Sequence, residues 1–230
     1  MFKVIRDLLG LAGWGAKRAH VYPHFVYAKM WEAIQPIARG ERYEDPLQAA
    51  LEAGDLGEVS GGGSSIDEEH GIDYVGVDID LASLESMELV RRVLEQAGAP
   101  KGSELQFEQD GEPHVIPFGV TERITIWLDG ITLPDDVYER FSTDELADQI
   151  EAAIAIDPTA EIRGSWKGPR ETSIYIHGFD GERLFQVIEP ILLANPACEN
   201  ARVIVRDGNP ALNPREVRLP AQRRGDSTTD

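Results

Sequence analysis

The chain carries one order of secondary-structure signals twice, and that order constrains the fold more than any single motif does. From Asp45 it reads helix, short strand (57–61), strand (73–81), helix (83–97), strand (104–108) and an Asp-Gly turn at Asp110-Gly111. From Ser142 it reads helix, short strand (161–166), strand (172–177), helix, strand (201–206) and a second Asp-Gly turn at Asp207-Gly208. The spacings agree. Asp73 to Thr172 is 99 residues, Gly111 to Gly208 is 97 and Glu58 to Glu161 is 103. A hairpin loop four residues longer in the first copy accounts for the larger offset. The tails correspond as well, residues 114–119 standing against 215–220.

The individual signals are physical ones. Val75, Val77, Ile79 and Leu81 alternate with Tyr74, Gly76, Asp78 and Asp80, which predicts a strand with one buried face. Ile124, Ile126 and Leu128 alternate in the same way with Arg123, Thr125, Trp127 and Asp129, and Ile174 and Ile176 with Ser173, Tyr175 and His177. Asp45 and Pro46 have the character of a helix cap and first position, with Gly54 as the stop. Ser83 is placed to cap a helix whose stripe is Met87, Val90, Val93, Leu94 and Ala97, stopped by Gly98 and Pro100. Ser142 and Glu145 have capping-box spacing. Asp180 is placed to cap the last helix, in which Pro190 predicts a kink or an early end.

With 123–129 as its opening strand, the second unit has the β-α-β-β-α-β order of a ferredoxin-like fold. The matching strand of the first unit falls at 25–30, where the residues 24–34 suit a helix equally well. The expected fold is therefore α+β, a tandem duplication of a ferredoxin-like unit with mainly antiparallel sheets. The expected divisions are an N-terminal amphipathic segment 1–19, a diverged first unit 20–120, a second unit 121–220 and a polar, disordered tail 221–230.

Charge bears on partners. With 41 acidic against 22 basic residues the formal charge is −19 and the pI is about 4.6. A field of that sign repels phosphate backbones, so nucleic acid is not an expected partner, and basic proteins are favoured. Cys198 is the one cysteine, so no intrachain disulfide can form, which suits a reducing cytoplasm. No apolar run reaches the roughly 20 residues of a membrane-crossing helix. Residues 1–18 could form an amphipathic helix, for which capping the domain is favoured over contact with a membrane surface.

No nucleophile elbow, kinase set or dinucleotide fingerprint is present, and no catalytic residue, metal ligand set or cofactor is expected. Gly61 to Ser65 lacks the Lys-Ser/Thr of a phosphate loop and reads as a hairpin loop. His20 and His24 are separated by Pro23, which spoils helical metal-ligand geometry, and Cys198 has no histidine near it in sequence. The leading expectation is a non-enzymatic acidic binding protein, of inhibitor or immunity type, that contacts a basic partner. Its contact residues would be Asp67, Glu68, Glu69, Asp73, Asp78, Asp80, Glu85 and Glu88. One alternative is a small-molecule sensor or carrier with ligand between the units, using Trp127, Tyr175 and His177 on the open sheet face. Burial of that face by the rest of the protein is the competing role for these three. Another alternative is a metal-dependent enzyme in which Asp78 and Asp80 bind a cation with help from Asp67, Glu68, Glu69 and His70.

Overall fold

The structure, a computed structural model, describes residues 22–67 and 71–220. Glu68, Glu69, His70, His20 and the expected segments 1–19 and 221–230 lie outside the described residues. The first unit runs β1 (His24–Met30), α1 (Pro36–Arg39), a π turn (Gly40–Glu44), α2 (Asp45–Glu52), β2 (Gly57–Asp67) and β3 (Gly71–Leu81). It continues with α3 (Met87–Gln96), β4 (Ser103–Gln109) and β5 (Glu112–Phe118). The second runs β6 (Glu122–Asp129), α4 (Asp135–Arg140), α5 (Thr143–Ile154), β7 (Glu161–Lys167) and β8 (Glu171–Gly178). It closes with α6 (Gly181–Ala194), β9 (Arg202–Asp207) and β10 (Arg215–Arg218).

The strands form two five-stranded antiparallel sheets, ordered β2-β3-β1-β4-β5 and β10-β9-β6-β8-β7. Each is a ferredoxin-like sheet with one further edge strand, so the chain is a tandem duplication of that unit. A detail of strand pairing supports the common origin of the two. β2 bulges at Ser60 and β7 bulges at Arg163, positions 103 residues apart, which is the Glu58-to-Glu161 offset.

Each unit has its own hydrophobic core. In the first, Val26, Ala28, Val77 and Ile79 of the sheet meet Leu47, Leu51, Val90 and Leu94 of the helices. In the second, Ile124, Ile126, Ile174 and Ile176 meet Leu146, Ile150, Leu184 and Ile188. The predicted alternation thus holds on the buried faces of both sheets. Ser83, Ser142 and Asp180 each accept a backbone N–H at a helix start, as their spacing predicts. Among the described residues no helix is long and apolar enough to cross a membrane.

The strand expected at 25–30 is present, as 24–30, in place of the helix those residues suit equally well, and Ala28 and Val26 are fully buried in its core face. Several other local expectations are corrected. Asp45 is no cap, because the helical segment has already begun at Pro36 and the Asp45 amide donates to Gly40. Gly61 to Ser65 belong to β2 and not to the hairpin loop. The missing side chain of Gly62 is used there: a Cβ on it would lie 2.7 Å from a Glu44 carboxylate oxygen, which salt-bridges Arg39 over the strand. α6 continues through Pro190 to Ala194. Gln186, whose carbonyl loses its donor to the proline, is exposed, and Ile188 and Leu192 stay buried on the opposite side.

The two units meet through polar groups. Arg163, the extra residue of the β7 bulge, reaches across to Glu32 at 3.1 Å and to the Gly98 carbonyl at 3.0 Å. The side chains of Arg163 and Glu32 are 2% and 0% exposed. Tyr43 donates its hydroxyl to the second oxygen of Glu32. Arg42, beside Tyr43 in the π turn, grips Glu161 with both Nη atoms at 2.9 and 2.8 Å. Gly98 holds φ +83°, and a Cβ there would come within 2.5 Å of the Arg163 guanidinium. A glycine is therefore required on two counts.

Burial opposes the charge on Arg163, but Glu32, Tyr43 and Glu161 outweigh it and raise its pKa. Because the partner is fully buried, Arg163→Met should strand the Glu32 carboxylate and lower stability by about 3–5 kcal/mol. Adding Glu32→Gln should recover much of the loss. Chemical denaturation of the two variants and the parent checks both statements.

Candidate functional site

The face of the second sheet that points away from its helices carries Arg123, Thr125 and Trp127 on β6 and Ser173, Tyr175 and His177 on β8. Cross-strand pairs place Arg123 opposite His177, Thr125 opposite Tyr175 and Trp127 opposite Ser173. None of the six is more than 7% exposed. The first unit covers them. Its β2–β3 hairpin ends over this sheet, where Gly71 packs on the Trp166 ring, and Trp31 packs on Gly208.

Between hairpin and sheet lies a cavity of ≈ 390 Å³. Asp67, Ile72 and Asp73 form its roof. Its floor is Trp127, Tyr175, Arg123, Arg202 and Asp207, with Ile204 beside them. The volume lies in the range of small-molecule sites, and a position between two units is a frequent one for them.

The charged groups of the floor are anchored. Arg123 donates Nη2 to Asp207 at 2.9 Å, and Thr125 donates to the same oxygen. Arg202 is held by both oxygens of Glu171. The two guanidinium groups also lie over aromatic rings, Arg123 at 5.6 Å from the Tyr175 centroid and Arg202 at 5.6 Å from that of Trp127. Trp127 meets Trp166 edge to face, with 6.2 Å between centroids. Burial raises the pKa of the Tyr175 phenol against opposite pulls from Ser173 and Arg123, so the ring presents a neutral hydroxyl.

The residues nominated from sequence divide among several places. Trp127 and Tyr175 line the cavity, whereas His177 is fully buried on the same face and does not. Asp67 and Asp73 lie at the hairpin end and are exposed. Asp78 is half-buried and Asp80 is 3% exposed, both on the open face of β3. Glu85 and Glu88 are exposed beyond the far end of β3. From Asp73 to Leu81 the strand rises about 27 Å at roughly 3.4 Å per residue. The acidic contact residues are therefore split between two ends of one strand. Among the described residues no three His, Cys, Asp or Glu side chains converge as a metal set. Cys198 is buried, which pushes its thiol up to about 12. Asp129, which alternation places near Trp127, instead organises a turn by accepting from the amides of Ile131 and Thr132.

Arg123, Arg202 and Asp207 were not nominated. The alternation that singled out Trp127 also puts Arg123 two pleats away on the same face, and this was the available signal. Nothing local indicates that Arg202 and Asp207 of β9 join them, because that depends on β9 pairing with β6.

No protein-family model matches the chain, and no curated protein matches it. One solved structure, described as a "putative monooxygenase from Lactobacillus acidophilus NCFM", shares 15% identity with it. The overlap covers 73% of this chain and 82% of that one, with a TM-score of 0.25. The strand order, and not that overlap, establishes the fold.

His177 makes a testable pH dependence. Burial and then the charges of Arg163, Arg123 and Arg42 hold its pKa well below the ordinary 6.5. The unfolded chain therefore binds the proton first. The contribution to stability is complete above pH 6.5 and is lost as pH falls toward the lowered folded value. Denaturant midpoints measured from pH 7 down to about 5 should decline, and His177→Gln should flatten that decline.

Proposed function

We propose that this chain is a small-molecule sensor or carrier whose ligand lies in the cavity between the two ferredoxin-like units. The observation that carries the reading is the composition of that cavity. Two aromatic rings and two isoleucines supply apolar surface, and a few fixed charges around them supply orientation. The walls come from both units, so occupancy would bear on how the hairpin sits against the second sheet. That is how ligand binding could be read by a partner or how a cargo could be retained.

Trp127 in the floor and Trp166 beside it give the test. Ligand addition from a panel of metabolites should change tryptophan fluorescence and raise the melting temperature. In Trp127→Phe the fluorescence response should shrink while the protein stays folded. A flat response by both measures across the panel would remove this reading.

A second reading keeps support from the charge of −19 and from the exposed Asp73, Glu85 and Glu88. In it the protein is a non-enzymatic binder of a basic protein partner, recruited by opposite fields. Capture from the native cell should then recover a basic protein whose association weakens as salt rises. Recovery that is insensitive to salt would count against it.

A further inference from the structure

The sheet of the first unit also has a face that its helices leave open, and it differs in kind from that of the second. The strand pairings put five carboxylates there, Glu58, Asp78, Asp80, Glu104 and Glu108, around the rings of Phe25 and Tyr27. Glu58 stands directly opposite Asp80, an arrangement of like charges that opposes the pairing of their strands. Lys29 is the one basic residue that the described strands place on this face. Its ammonium is held over rings, 3.8 Å from the centroid of Trp31 and 4.1 Å from that of Tyr74. Asp80 is nevertheless 3% exposed and Tyr27 6%. α2 and α3 pack on the opposite face. The second unit meets the first at the other end of these strands, at Glu32, Gly71 and Gly98. Neither accounts for a buried carboxylate at the Phe25 end.

The chain holds a segment of the complementary character. Residues 1–21, outside the described residues, carry Lys3, Arg6, Lys17 and Arg18 against the single acid Asp7, in a chain with 41 acidic and 22 basic residues. Phe2, Ile5, Leu8, Leu9 and Trp14 give the segment apolar surface as well. It joins the fold at the acidic end of the open face. Tyr22 donates its hydroxyl to Asp55, just before β2, and lies three residues ahead of Phe25, whose cross-strand partner is Asp80. Arg18 and Lys17 precede Tyr22 by four and five residues, so each lies within roughly 14 to 18 Å of it along even a fully extended chain. Tyr22 to Phe25 is about 10 Å on the same scale, which puts Asp80 and Glu58 inside that reach.

We infer that residues 1–21 dock on the open face of the first sheet of their own chain, with Lys17 and Arg18 against Asp80 and Glu58 and apolar side chains over Phe25 and Tyr27. The docked segment supplies positive charge to a face that is rich in carboxylates, and it supplies the cover that the burial of Asp80 and Tyr27 calls for. A basic protein drawn to these carboxylates would have to displace it, so the segment limits access to this face. The inference does not depend on the cavity between the units, and either can fail without the other.

Carbodiimide joins a lysine directly to a carboxylate in contact with it, and it can be applied to the unaltered full chain. In an equal mixture of unlabelled and isotope-labelled protein, Lys17 should be joined within one chain to Glu58, Asp80 or Glu108, with a yield that falls as salt rises. Links found only between labelled and unlabelled chains would make the occupant a second copy and overturn the inference. Links of Lys3 and Lys17 confined to carboxylates of the second unit, or no link from Lys17, would overturn it too. Lys17→Glu combined with Arg18→Glu should lower the melting temperature by about 2–4 °C at low salt and by less at high salt. An unchanged melting temperature would count the same way as a missing link, because charge reversal on a segment that touches nothing has no such cost. Sedimentation of the full chain with vesicles of phosphatidylserine and phosphatidylcholine, but not with phosphatidylcholine alone, would assign the basic segment to a membrane surface and overturn the docking.

Discussion

Arg163 and Glu32 meet where water does not reach, and the relation between the two halves of the molecule depends on that meeting. Each unit closes its own apolar core, and the two cores do not merge. The units are joined by ring packing, Gly71 on Trp166 and Trp31 on Gly208, and by buried charge. A buried ion pair is a weak source of net stability, because desolvation of both ions offsets most of their attraction. It is a strong source of specificity, since any docking that separates the partners leaves two bare charges in the interior. The π turn contributes Arg42 and Tyr43 from adjacent positions, and the bulge of β7 contributes Arg163. Irregular backbone is concentrated on the surface where the units must fit.

The same arrangement explains the cavity. A ferredoxin-like unit covers one face of its sheet with helices and leaves the other to be dealt with. In the second unit that face is covered by the hairpin and the segment after β1, and the cavity over Trp127 and Tyr175 is the space left between them and the sheet. Its contents follow from the pleat: arginines and aromatics alternate with the aliphatic residues that fill the core side. Guanidinium groups lie over the ring faces at 5.6 Å, which holds the rings of the floor in place.

His177 shows how the interface handles a titratable group without a partner. It sits between Arg123 and Glu161 in the strand pairings, with three arginines acting on it. An imidazolium there would pay for full burial first and then for the nearby charges of three arginines. The neutral ring is the form that fits, and both of its nitrogens are unpaired among the described residues.

Much of the architecture was legible because it rests on local chemistry. Alternation at 75–81, 124–128 and 174–176, the caps at Ser83, Ser142 and Asp180, and the Asp110-Gly111 turn are short-range signals that the structure follows. The element order and the spacing of the copies determined the duplicated ferredoxin-like fold. Tertiary structure decided the rest, for a physical reason that differs from place to place. Pro190 is carried inside a helix by burial on its other side, and Gly61 to Ser65 are drawn into a strand by pairing with β3. The cavity needed three distant segments to converge: the β2–β3 hairpin, β6 with β8, and β9. Alternation can say that Arg123, Trp127 and Tyr175 share a face, since the pleat is a local property. Whether that face meets water, a core or a cavity depends on how one closed unit docks on another, and contacts such as Arg163 with Glu32 link residues 131 apart in the chain.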